Sequence, residues 1–145
     1  MRSYVRGETA FIQATGTTAQ FAYWLGDLTG DNPYETLVMD DDKSVTAVFN
    51  NVIRVSVDST VETPDGLSWE TAYPTLQSAM DVAKTGDEIW VKEGTYTSDE
   101  EVVLNISKAV HFYGGFSGAE TKRYQRNPDS HPAIIDGENQ RRSVR

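Results

Sequence analysis

The sequence predicts an all-β chain with one short helix, and three observations predict it. Short runs of alternating apolar and polar residues recur along the 145 residues, split by Gly, Asn, Asp and Pro. A single window, Pro74 to Lys84, repeats its apolar residues at helical spacing. Beyond it, short strands follow one another with Gly turns and no helices between them, which suggests the stacked coils of a solenoid.

Composition narrows the function classes. The chain has 22 acidic and 13 basic side chains, a formal charge of -9, which argues against a general nucleic-acid binder because neutralising phosphates needs clustered Lys and Arg. No apolar run approaches the roughly 18 residues that span a bilayer. The absence of cysteine excludes a disulfide scaffold, a thiolate nucleophile and a Cys-ligated zinc site. The start, Met1 to Glu8, is basic but lacks the apolar stretch of an export signal, so the chain reads as cytoplasmic or as a piece of something longer. The way both pattern regions break off favours a piece.

Thr9–Ala14, Gln20–Leu25, Thr36–Met39 and Ser44–Phe49 read as strands. The turn-rich segment Gly26-Asp27-Leu28-Thr29-Gly30-Asp31-Asn32-Pro33 separates the second from the third, and the acidic turn Asp40-Asp41-Asp42 the third from the fourth. Val45, Ala47 and Phe49 share one face, so a small β module with Phe21, Trp24, Val45 and Phe49 in its core is expected. A calcium loop starting at Asp27 would need a carboxylate at its twelfth position, which is Val38; no metal is expected there or at the acidic turn.

Residues 1–50 resemble the divergent internalin-type B repeat, a β-grasp-like module of bacterial surface and secreted proteins. The match is carried by Gly7-Glu8, Ile12-Gln13-Ala14, Phe21 with Trp24-Leu25-Gly26-Asp27, Asn32-Pro33, and Met39-Asp40 leading to Lys43-Ser44-Val45-Thr46-Ala47-Val48-Phe49. That family's first strand would precede Ser3 and is missing or cut short, which would leave a neighbouring edge open to pairing.

Residues 51–61 read as a linker or first strand. Thr75 is a candidate N-cap for a helix running to Lys84, with Gly86 ending it. Asp87–Lys92, Val102–Ile106, Val110–Phe116 and Ala133–Gly137 read as strands, and Glu93-Gly94-Thr95-Tyr96 as a tight turn.

Residues 62–145 resemble the N-terminal cap and first coils of a right-handed parallel β-helix of the pectin-lyase-like class. The carrying motifs are Asp65-Gly66-Leu67-Ser68-Trp69 with Tyr73-Pro74-Thr75-Leu76, Gly86-Asp87-Glu88-Ile89-Trp90-Val91, Tyr113-Gly114-Gly115-Phe116-Ser117-Gly118, Arg126-Asn127-Pro128 and Ile134-Ile135-Asp136-Gly137. In that class the short helix plugs the end of the coil stack. The resemblance implies a truncated helix whose later coils would follow Arg145.

Candidate sites are few. His111 would need a carboxylate partner and a cleft to act as a base, and a structural or surface role is the simpler reading; His131 reads as a loop residue. Asp87, Glu88 and Glu93 offer carboxylates of the kind that hydrolyse glycosides, but the resemblance places them at the cap, in strand and turn roles. Gly114 to Gly118 lacks the Lys-Ser/Thr of a phosphate loop and reads as a protruding turn. Among Trp69, Trp90, Tyr96 and Tyr113, whose rings would suit sugar faces if exposed, Trp90 reads as core. Trp69 and Tyr96 are the ligand-binding candidates. No catalytic residue and no cofactor is assigned.

The resemblances imply a segment of a bacterial secreted or cell-surface adhesin-like protein with a structural and binding role, located outside the cell. Its expected partner is a polysaccharide or host-surface ligand, with self-association through open β edges as a further expectation. The alternative is the N-terminal piece of a polysaccharide lyase or hydrolase whose catalytic coils lie beyond this chain.

Overall fold

The computed structural model describes residues 3–16 and 19–145. Strand takes up 40% of the chain and helix 7%, so it is broadly all-β, with mixed sheets. Two compact units, Met1–Asn50 and Asn51–Arg145, follow one another. No helix among the described residues is long and apolar enough to cross a membrane.

The first unit is built on β1 (Glu8–Gln13), β2 (Ala19–Gly26), β3 (Tyr34–Met39) and the first part of β4 (Val45–Val55). β1 runs antiparallel to β3, and β2 is hydrogen-bonded to β4. β2 departs from strict alternation, with Phe21, Ala22 and Trp24 all buried. The Phe21 and Trp24 rings meet at 5.0 Å, and Phe49 adds an edge contact to Phe21 at 5.9 Å. Val45 and Phe49 join this core as expected but are only partly buried, while Leu28, in the turn-rich segment, is buried among them. The Trp24 indole N–H donates to the Asn32 carbonyl at 2.8 Å, so the segment is tied to the core it crosses. At Gly26 (φ +97°) a side chain is excluded, since a Cβ there would sit 2.1 Å from the Ser44 carbonyl oxygen.

Within the second unit the pairing is parallel throughout. The end of β4, Val52 to Val55, lies beside β5 (Glu88–Lys92), and β5 lies beside β8 (His111–Phe116). β6 (Gly94–Tyr96) pairs with β9 (Ala133–Ile135), and β7 (Val102–Leu104) pairs with β10 (Arg142–Val144). Three successive strands therefore lie, in the same order, beside the next three. Residues 51 to 55, taken from sequence as linker or first strand, are strand, with Val52, Ile53 and Val55 buried. The expected tight turn at Glu93 to Tyr96 is also corrected. The chain bends at Glu93, and Gly94–Tyr96, entered through Gly94 at φ +140°, is a strand.

The helix α1 (Leu76–Val82) is capped by Thr75, whose hydroxyl accepts from the Ser78 N–H at 3.2 Å. It buries Leu76, Ala79 and Met80 against Ile53, Val55, Ile89, Val91, Tyr96 and Leu104. It ends earlier than expected. The Lys108 ammonium takes the Met80 and Asp81 carbonyls at 3.0 and 2.7 Å, satisfying acceptors that the missing next turn would have used. Gly86 (φ +93°) instead shapes the entry into β5.

Candidate functional site

The densest chemistry of the second unit lies along β5. Arg54 on β4, Trp90 on β5 and Tyr113 on β8 are opposite one another in the parallel register and form one row across three strands. Trp90 is fully buried and stacks on Phe116 at 4.7 Å, and Phe116 meets Trp69 at 5.5 Å. The Arg54 guanidinium lies over both indoles, 5.3 Å from Trp90 and 5.8 Å from Trp69, and donates to the Leu67 carbonyl at 2.6 Å. Burial holds its pKa below the usual arginine range, with Glu70 opposing the shift.

Two positions before Trp90 on the same strand, Glu88 is 0% exposed. One carboxylate oxygen accepts from the Trp90 indole at 2.8 Å, and the other meets Arg123 at 2.6 Å. Arg123, on the 3-10 turn Arg123–Gln125, also lies over the Tyr113 ring at 5.0 Å; Arg126 lies 5.5 Å from that ring and donates to the Gly114 carbonyl. The cluster satisfies its polar groups internally. Chemically it is a brace that joins β4, β5, β8 and the two loops bearing Trp69 and Arg123.

Of the two sequence-derived ligand candidates, Tyr96 lies in the core. It is 2% exposed, because the alternation of β6 turns it inward, and its hydroxyl donates to the Lys92 carbonyl at 2.8 Å and accepts from the Val57 N–H at 3.3 Å. A ring packed in the core offers no face to a sugar. Trp69 is partly buried, with its indole N–H given to the Glu120 carbonyl at 2.9 Å and its ring held between Phe116 and Arg54.

The three carboxylates considered together in the sequence go to separate partners. Asp87 accepts from the Lys84 N–H and the Asn51 amide, Glu88 belongs to the brace, and Glu93 meets His131 at 3.0 Å. His111 is exposed and lies beside Tyr113. The Glu93–His131 and Glu88–Arg123 pairs were not legible beforehand, since their members lie 38 and 35 residues apart and no local pattern marks them. The glycine loop holds an anion of its own. The N–H groups of Ser117, Gly118 and Ala119 all donate to the Glu120 carboxylate at 2.9 to 3.1 Å. Burial raises the Glu120 pKa, but these donors outweigh it and the net shift is downward.

In the first unit Asp27 accepts from the Ser44 N–H at 2.7 Å, and Lys43 sits 2.8 Å from Asp40 and 3.8 Å from Asp27. The hydrogen bond to Lys43 lowers the Asp40 pKa. Among the described residues no group of three or more metal-ligating side chains converges. No family model, curated protein or solved structure matches the chain.

The Tyr96 burial has a measurable consequence. Desolvation pushes its pKa up to about 12, from the usual value of about 10. The folded state thus holds this proton more tightly than the unfolded chain. The stability this contributes is complete below pH ~10 and is lost as pH rises toward about 12. Urea unfolding between those limits should show a steeper alkaline loss in the parent than in Tyr96→Phe, and equal slopes would refute the assignment.

Proposed function

We propose that the chain is a structural and binding segment of a bacterial secreted or cell-surface protein. In this reading an internalin-type β-repeat module leads into the helix-capped first coils of a right-handed parallel β-helix. The observation that carries it is the pairing of β5, β6 and β7 with β8, β9 and β10, in the same order and all parallel. That is the arrangement one coil makes with the next, each burying an apolar face its neighbour cannot bury alone. The seating of α1, through its own Leu76 and Met80, on the core that includes Ile89, Val91 and Leu104 supports a cap at the start of such a stack. The commitment of Glu88, Trp90 and Arg123 to a brace supports architecture over catalysis at this end. The binding role is to a glycan presented outside the cell, and unpaired strand edges offer the means of self-association.

The test is incubation of the purified chain with a panel of neutral and acidic polysaccharides, with and without calcium. Retention on a polysaccharide without released oligosaccharide is the expected result. Released products would overturn the reading in favour of a lyase or hydrolase. Neither retention nor products would remove the binding role.

A further inference from the structure

Phe11 is 83% exposed, more than any other large apolar side chain among the described residues, and it is not isolated. β1 and β3 pair with Thr9 opposite Val38, Phe11 opposite Thr36 and Gln13 opposite Tyr34. By the two-residue period these six side chains share one face, and all six are exposed. The opposite face carries Ala10, Ile12 and Leu37, which turn toward the Phe21–Trp24 core. Tyr34 is 59% and Val38 50% exposed. Phe11 and Tyr34 are diagonal neighbours across the pair, within about 7–8 Å of each other. A cleft of ≈ 340 Å³ at this end of the pair is lined by Phe11, Gln13, Tyr34 and Thr36 of the outward face together with Ile12 and the acidic Glu35, which lie out of phase with them.

The chemistry of the face indicates its occupant. Its outward side chains are two aromatic rings, one of them a phenol, one valine, two threonines and one amide, with no formal charge, on a chain whose net charge is -9. Rings suit the C–H faces of pyranoses, and hydroxyls and an amide both donate to and accept from sugar hydroxyls. An acidic polysaccharide would find no cation on this face and would meet the repulsion of an acidic chain. A neutral one would meet neither obstacle.

We propose that the outward face of the β1–β3 pair binds a neutral polysaccharide, with Phe11 and Tyr34 stacking on sugar rings and Gln13 and Thr36 bonding their hydroxyls. The proposal rests on the glycan-binding part of the reading above and moves the contact from Trp69 and Tyr96 to the first unit. Both aromatics are exposed, so Phe11→Ala and Tyr34→Ala should leave the thermal unfolding midpoint in place. Tyr124→Ala, which removes an exposed aromatic from the second unit, is the control.

The experiment is affinity electrophoresis of the full chain in gels containing a soluble neutral glucan, a neutral mannan or polygalacturonate. The parent should be retarded by at least one neutral polymer and not by polygalacturonate. Each variant should bind about tenfold more weakly, which corresponds to ~1.4 kcal/mol for a stacking contact, while Tyr124→Ala binds as the parent does. Unchanged retardation of both variants overturns the site and leaves the glycan-binding reading standing, as does a preference for polygalacturonate. No retardation in any gel overturns both. If the parent then forms a concentration-dependent dimer that Phe11→Ala abolishes, the face belongs to a second copy of the chain.

Discussion

Replacing Arg123 by alanine should lower the unfolding free energy by about 3–5 kcal/mol, the range found when a buried carboxylate loses its cationic partner. Glu88 is 0% exposed, and Arg123, 19% exposed, approaches it at 2.6 Å. Without the guanidinium the carboxylate keeps the Trp90 indole donor but not this positive charge, and Tyr113 loses one of the two cations over its ring. A loss of that size is a large fraction of the roughly 5–15 kcal/mol that holds a domain folded, so urea unfolding at low temperature is the suitable measurement. The decisive step is the double variant Glu88→Gln with Arg123→Ala. Removing the carboxylate's charge removes the reason for the penalty, so the double variant should be more stable than the sum of the single losses predicts, by about 1–3 kcal/mol. Strict additivity would show that the two groups act independently and that the brace is packing alone. Arg123→Lys should not restore the parent, because an ammonium offers Tyr113 no planar group to stack on.

The brace also shows where sequence reading stops. Trp90 was legible as core because it sits in an apolar strand. The first-unit core was legible in part, because Val45, Ala47 and Phe49 recur at every second residue and all three pack against the Phe21–Trp24 cluster. The helix was legible because a threonine cap precedes a 3.6-residue apolar period. The β6 strand was not, since three residues after a Glu-Gly corner are too short to show a period. That one misreading misplaced Tyr96: as part of a turn it would be exposed, whereas in a strand the alternation from Thr95 drives it into the core. Ion pairs between Glu88 and Arg123, or Glu93 and His131, depend on which residue of one strand lies beside which of another. Chain-distant register leaves no local trace. Phe11 is the converse case. The alternation of Thr9 to Ala14 puts it opposite in phase to Ala10 and Ile12, so its outward position follows from the pattern once the inner face is known.

A disulfide between Thr95→Cys and Ile134→Cys should form readily and raise stability by about 2–4 kcal/mol, as closing a loop of several tens of residues does. Thr95 and Ile134 are opposite one another in the β6–β9 ladder, and both are exposed. Neighbouring strands lie about 4.7–4.9 Å apart, inside the Cα separation that a disulfide tolerates. The chain has no cysteine of its own, so no other pairing competes. Under mild oxidant the double variant should run faster than its reduced form in a denaturing gel and unfold at higher urea. Thr97→Cys with Ile134→Cys is the control, because it displaces one partner by two residues along the chain and by about 6.6 Å along an extended strand. If the control pair closes faster than the Thr95 pair, the register is shifted. Closure of neither pair would mean that β6 and β9 are not neighbours, and the coil-on-coil reading would fall with them. Closure of the Thr95 pair alone fixes the parallel register at β6 and β9, away from the brace, where three residues per strand carry the pairing by themselves.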